Sequence, residues 1–233
     1  RVAAEKPVVA LIGGRTAAGA RAAAAHTGAA AQDDAAMDAL CAQCGILRVD
    51  SLRRLLLAAK GFGAFPHGFG RRVLILSNSG GPGVLCTDRA AREGLDIVAL
   101  PAAMTASLRA QLPPEASVAN PLDLLADARE DRFGLTLEAA IRDGAGAFDA
   151  ILGIHIVPFM VDASTIVTRL AAMASSVPVP FLHSMMGTLP DKDAWFRTME
   201  AAGVPMFNDI EAMAECAGLL ARYPALRERA RGG

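Results

Sequence analysis

Two short stretches hold the residues that could do chemistry. In "GARAAAAHTGAAAQDD", residues 19–34, one imidazole, His26, stands among alanines, glycines and small polar residues. A neutral ring nitrogen is a nucleophile near pH 7. In "LILSNSGGPGVLCTD", Gly80, Gly81 and Gly83 separate an apolar run from an amphipathic one. Such a strand-to-helix turn leaves backbone N–H groups unpaired at a helix N-terminus, where the helix dipole favours an anion. Asn78 and Ser79 add hydrogen-bonding side chains at the same place. The glycines do not have the dinucleotide-binding spacing, and no lysine follows them as in a Walker A loop. Spacing alone leaves two readings, a phosphate-binding turn and a plain tight turn.

Periodicity and the placement of Gly and Pro give the elements that must position these residues. Strands are expected over Pro7–Ile12, Ile46–Val49, Arg72–Ser77, Asp96–Leu100, 148–157, 177–184 and 204–207. Helices are expected over 33–44, with Asp33 or Asp34 as cap, and from Ser51 to about Lys60. Further helices fall at Val84–Glu93, Thr105–Gln111, Phe133–Arg142, Asp162–Ala174 and Lys192–Ala202, with a last one capped by Asn208 or Asp209 and ending at about Arg222. The strands are apolar throughout rather than alternating, as in parallel sheets covered by helices on both faces. Strand and helix alternate along the chain. The fold class is therefore α/β, a doubly wound, flavodoxin-like parallel-sheet domain preceded by the end of a second domain of the same class. The expected division is 1–60 for that first part, the glycine-rich "GFGAFPHGFG" at 61–70 as linker, and 71–233 for the complete domain.

Residues 13–32 consist almost entirely of alanine and glycine apart from His26 and a few polar residues. Alanine is the best helix former, so Ala20–Ala25 reads as a helix with a solvated His26 near its end. The same stretch reads equally as a long loop of small side chains that buries little and moves easily.

The totals exclude several classes. Of 233 residues, 53% are hydrophobic and 20% charged, which supports a sizeable core and not a disordered chain. A net charge of -1 gives no electrostatic footprint for nucleic acid or an anionic membrane. Mean hydropathy is +0.34, but it comes from alanine and not from a membrane-length apolar run. Four cysteines make no disulfide framework, so a reducing, cytoplasmic compartment is expected. The chain opens on Arg1, without Met, which suggests a fragment or a trimmed product.

With these motifs in hand, the segment "KPVVALIGGRTAAGARAAAAHTGAAAQDDAAMDALCAQCGILRV" resembles the phosphohistidine segment of the NDP-forming acyl-CoA synthetases. These are the ADP-forming acetyl-CoA synthetases, relatives of succinyl-CoA synthetase. "NSGGPGVLCTD", "LPPEASVANPLDLL" and "AAGVPMFND" follow in the family's order, so the resemblance covers essentially the whole chain. It implies an acid–CoA ligase that interconverts acyl-CoA, phosphate and ADP with acid, CoA and ATP. The route runs through an acyl phosphate and a phosphohistidine on a mobile loop. It places the phosphorylated histidine at His26, with Thr27 and Gly28 on the loop beside it. Asn78, Ser79, Gly80, Gly81 and Gly83 form the phosphate-binding turn. CoA and Mg2+-bound ATP or ADP are implied as ligands, held mainly by a CoA-binding domain and an ATP-grasp domain outside these residues. The family's two-sided active site implies an oligomer, with no nucleic-acid or membrane partner. The chain alone is not expected to catalyse the full reaction. A rival reading is a non-catalytic acyl-CoA- or nucleotide-sensing module attached to an acetyltransferase or other domain. A blander one is an interaction domain whose glycine turn is only a turn.

The sequence departs from the family at Ala25, where a serine usually precedes the histidine, at Ile12, where a lysine is common, and near Gln32, where a glycine is usual. Cys41 and Cys44 form a C-x-x-C pair with no further metal ligands at suitable spacing, so they read as core filler and no metal site is assigned. His155 and His183 read as buried, hydrogen-bonded histidines. Asp123, in "NPLD", reads as a helix cap and packing residue.

Overall fold

The computed structural model of the chain describes residues 2–28, 33–159 and 161–232. It divides into two compact units, one formed by 1–68 with 219–233 and the other by 69–218. Among the described residues no helix is long and apolar enough to cross a membrane.

In the first unit, β1 (Val8–Leu11) and β2 (Ile46–Val49) lie side by side and parallel, with Val8 opposite Ile46 and Leu11 opposite Val49. Between them run α1 (Ala17–Thr27) and α2 (Asp34–Gln43), and α3 (Leu52–Ala64) follows. Asp33 is the cap of α2: its Oδ1 accepts from the N–H groups of Ala35 at 2.8 Å and Ala36 at 3.3 Å. Ser51 caps α3 by accepting from the Arg54 N–H.

The structure moves the expected linker. Residues 61–64 belong to α3, and Gly61 and Phe62 are buried in it. The reason lies at the other end of the chain. The final helix, α9 (Ile210–Gly232), does not stop at Arg222 but continues through Pro224. The Phe62 ring meets the Tyr223 ring edge to face at 5.2 Å. Pro224 has no N–H to offer the Leu220 carbonyl four residues earlier. Gly68 approaches that carbonyl so closely that a Cβ would collide with it. By contact, residues 219–232 group with the first unit, although the expected second domain runs over 71–233.

The second unit is a six-stranded, all-parallel sheet. Its strands are β3 (Arg72–Ser77), β4 (Asp96–Ile97), β5 (Leu122–Asp123), β6 (Ala150–Val157), β7 (Phe181–Gly187) and β8 (Met206–Phe207). The order is β4-β3-β6-β7-β8, with β5 paired to β3 off that path. Helices α4 (Gly80–Arg92), α5 (Ala102–Arg109), α6 (Glu130–Arg142), α7 (Ser164–Ala174) and α8 (Lys192–Ala201) link the strands. Leu76, Met104, Leu122, Phe133 and Leu170 are among the fully buried core residues. The strand order reverses between β3 and β6, and ligands bind beyond the carboxyl ends of the strands at such a switch point.

One edge of β3 is divided. β4 pairs with Arg72 and Val73, β5 with Leu76 and Ser77. The Asn120 side chain fills the gap: its Oδ1 accepts from the Ile75 N–H at 3.0 Å, and its Nδ2 donates to the carbonyls of Val73 and Val98, both at 2.8 Å. One amide thus stands in for a missing length of ladder. Asn120→Ala leaves three backbone groups unpaired and is expected to destabilise the unit by roughly 3 kcal/mol, at about 1 kcal/mol or more per buried orphan. Urea denaturation of the two proteins measures this.

His155 and His183 are buried, as expected, but three of their four ring nitrogens are buried without a hydrogen-bond partner among the described residues. His155 Nδ1 and both His183 nitrogens lack partners. Their rings lie 6.4 Å apart, against Phe133 and Phe181, and a Cβ on Gly153 would collide with the His183 ring. Burial pushes His155 down to about 4. Burial first, then the neighbouring His155, pushes His183 down to about 3. Above pH 6.5 both are neutral in the folded and unfolded chain and the pH term vanishes. Below it the unfolded chain takes up two protons that the folded one refuses. Stability should therefore fall by about 1.4 kcal/mol per pH unit for each histidine between roughly pH 6 and 4. The arginine-paired Asp127, Asp143 and Asp149, whose pKa values are lowered, lose their contribution only at lower pH. Denaturation midpoints from pH 7.5 to 4.5 should show this slope, and His183→Leu should roughly halve it.

Candidate functional site

β3 ends at the switch point, and the chain turns there into α4. Ser77, fully buried, closes the turn: its Oγ accepts from the Ser79 N–H at 3.0 Å and donates to the Ser79 carbonyl at 2.8 Å. Asn78 Nδ2 donates to the Ile156 carbonyl at 2.9 Å, and Asn78 Oδ1 accepts from the Ile156 N–H at 2.8 Å. The Asn78 side chain, expected as a phosphate ligand, has its carboxamide occupied by these two bonds. Its amide is committed to joining β3 and β6.

The helix also begins earlier than expected, at Gly80 and not at Val84. Pro82 lies in its first turn, where a missing N–H costs nothing. Ser79 is the cap residue, but its side chain makes no capping bond. The Gly83 N–H donates to the Ser79 carbonyl at 3.2 Å, so Gly83 too is withdrawn from the expected anion set. What remains is compact: the N–H groups of exposed Gly80 and Gly81, with no acceptor among the described residues, and the half-buried Ser79 hydroxyl. At the other end of α4, Arg89 pairs with Glu93 and with buried Glu215, both at 2.7 Å.

Asp123 neither caps a helix nor stands apart. Its Oδ1 accepts from the Leu125 N–H at 2.9 Å. A Cβ on Gly80 would lie 2.9 Å from its Oδ2. The carboxylate thus sets one fixed negative charge beside the α4 N-terminus, where the dipole favours it. Sequence reading missed this neighbour, because β5 has two residues and no periodicity to mark it.

His26 lies in the last turn of α1, so Ala20–Ala25 are helical, as the helix reading expects. Thr16 Oγ1 accepts from the Gly19 N–H at 3.1 Å to start the helix. Gly28, at φ 68°, ends it by donating its N–H to the Ala24 carbonyl. Thr27 is the final helical residue and Gly28 the left-handed cap, in place of the expected loop; Gln32 lies outside the described residues. The helix is nonetheless lightly held. None of its described side chains is buried, and His26 is exposed. Cys41 is buried and Cys44 exposed, and no trio of His, Cys, Asp or Glu among the described residues is grouped to hold a metal ion.

Residues 1–62 match the family described as succinyl-CoA ligase like flavodoxin domain, and residues 73–222 match the Ligase-CoA domain. The chain is 32% identical over 223 residues to the acetate–CoA ligase [ADP-forming] II subunit alpha of Pyrococcus furiosus, covering 93% of this chain and 48% of that one. The chain belongs to the NDP-forming acyl-CoA synthetase family. It is also 29% identical to the acetate–CoA ligase [ADP-forming] I of Archaeoglobus fulgidus, over 99% of this chain and 32% of that protein. Among solved structures, the dinucleotide-forming acetyl-coenzyme A synthetase 1 of Candidatus Korarchaeum cryptofilum, in complex with phosphate and ADP, superposes with a TM-score of 0.89 at 26% identity. The match covers 100% of this chain and 50% of that one. The chain thus spans about half the length of its subunit-alpha relative, and a smaller share of the longer synthetases.

The two free N–H groups give a test of the turn as an anion site. A Cβ on Gly81 meets nothing within 4 Å. Gly81→Ala should leave stability unchanged or raise it by up to about 1 kcal/mol, while the added methyl crowds the approach to the N–H pair. Inorganic phosphate, titrated calorimetrically, should bind the variant at least about fivefold more weakly.

Proposed function

We propose that this chain is the histidine-carrying and ligase-CoA part of an ADP-forming acid–CoA ligase. In one direction a phosphate oxygen attacks the thioester carbonyl of an acyl-CoA, the C–S bond breaks, and CoA leaves as the thiol. A ring nitrogen of His26 then attacks the phosphorus of the acyl phosphate; the P–O bond to the acyl group breaks and a carboxylate leaves. The phosphoryl group is finally taken from the N–P bond by the terminal phosphate oxygen of ADP, giving ATP and neutral His26. Every step reverses to make acyl-CoA.

The observation that carries this reading is His26 itself: an exposed imidazole, at the end of a helix with no buried side chain, in a chain of this family. A group that visits two sites must ride on an element that gives up little packing when it moves. The α4 N-terminus supports the same reading. The Gly80 and Gly81 N–H groups suit the phosphoryl oxygens, where charge builds during transfer. CoA and the Mg2+-bound nucleotide are read as substrates held mainly by a CoA-binding domain and an ATP-grasp domain. Support for such partners comes from the relative described as a subunit alpha, twice the length of this chain. Exposed Val84, Leu85 and Phe159 offer apolar surface for them.

The test uses the full-length protein, with its ATP-grasp partner, incubated with Mg-ATP. Acid-labile, base-stable phosphate should appear on His26 by mass spectrometry, be removed by ADP, and be absent from His26→Asn. Absence of phosphate on His26 with a competent ATP-grasp partner present overturns the carrier reading in favour of a sensing module.

A further inference from the structure

Four charged side chains, on residues that lie to either side of α1 in the chain and on β2, close a ring. Arg48, on β2, has a side chain only 5% exposed. Its Nη2 lies 2.6 Å from Asp34 Oδ1, and its Nη1 lies 2.8 Å from Asp38 Oδ1. The same guanidinium donates to the carbonyls of Asp34 at 3.2 Å and Ile12 at 3.5 Å. Arg15 completes the circuit, with Nη2 3.0 Å from Asp38 Oδ2 and Nε 3.6 Å from Asp34 Oδ2. Each carboxylate thus bridges both guanidiniums. Asp34 and Asp38 stand one turn apart on the same face of α2, where two like charges repel unless cations lie between them.

The order along the chain gives the ring its meaning. Ile12 and Arg15 come just before α1, and Asp34 and Asp38 come after it. Arg48 therefore grips the chain on both sides of the His26 helix and ties both grips to β2. α1 is lightly packed: none of its described side chains is buried. The capping bonds stop at the same places: Thr16 starts α1 directly after Arg15, and Asp33 caps α2 directly before Asp34. With Asp33 capping, Asp34 is left for Arg48.

We propose that Arg48 is a positioning residue that clamps the two ends of the His26-bearing segment to β2, through Asp34, Asp38 and Arg15, so that α1 shifts about fixed feet. Only arginine fits the position, because a planar guanidinium reaches two carboxylates and two carbonyls together while an ammonium is a single point charge. Fixed ends restrict where a lightly packed helix can go, which raises the fraction of time its imidazole spends where it reacts. That last consequence rests on the reading of His26 as a phosphoryl carrier; the clamp does not.

Hydrogen exchange read by mass spectrometry on the full-length protein tests it. In Arg48→Met, amides of residues 16–28 should exchange at least about tenfold faster, while those of β2 and α3 keep their protection. Phosphorylation of His26 by Mg-ATP should slow by a similar factor with the KM for ATP within twofold. Unchanged exchange over 16–28, or an equal rise over β2 and α3, overturns the clamp. If Arg48→Met does not fold, Arg15→Gln, at a side chain 32% exposed, decides by the same exchange pattern at about threefold. A wild-type protein never phosphorylated on His26 would overturn the carrier reading and leave the exchange result to judge the clamp alone.

Discussion

Two asparagine side chains hold β3 in place, and the candidate anion site is built on its carboxyl end. β3 lies where the strand order reverses, so it has a short strand and a fragment on one side and the longest strand of the sheet on the other. Asn120 fills the break on the first side with three hydrogen bonds, and Asn78 joins the second side to Ile156 with two. A carboxamide suits both places because it donates and accepts from one planar group. With the strand fixed, Ser77 closes the turn by bonding to both backbone groups of Ser79. The first helical N–H groups are then left facing outward.

The two candidate elements are held by opposite means. α4 is anchored along its length, with Cys86 and Ala90 buried and Arg89 between two glutamates. It presents fixed donors and has little freedom to move. None of the described side chains of α1 is buried, and the charged cluster lies on the residues that flank it. The proposed function asks for two such parts, a rigid receiver for charge and a lightly held carrier. Here they come from the same local chemistry used differently: small residues in both, with a packed face added in only one.

Much of this was legible in the residues. Ile46–Val49 and Arg72–Ser77 stand as strands over the very residues expected, because a short apolar run bounded by turn residues has few other fates. The family resemblance and the parallel α/β class were legible for the same reason. The start of α4 was not, since three glycines argue against helix by propensity while capping and the switch-point geometry argue for it. The last helix runs past its expected end near Arg222, through Pro224, where Tyr223 packs on Phe62. Asn120 gives no local signal, as its partners lie 22 to 47 positions away. The histidine pair read correctly as buried and wrongly as satisfied, because burial follows from an apolar neighbourhood whereas a hydrogen-bond partner must be supplied by a distant element.

The crossing of the unit boundary inside α9 bears on the order in which the chain can assemble. The second unit is continuous, from Phe69 to Gly218, and holds all its strands between those limits. The first is not: Phe62 must wait for Tyr223, about 160 residues later, before its ring is covered. On the ribosome the inserted unit can reach its native contacts while the earlier residues still lack their closing helix. Contacts so far apart in sequence carry a larger loop-closure cost and form late. A protein shortened before Leu219 would keep the sheet of the second unit whole and leave Phe62 without the Tyr223 ring that covers it.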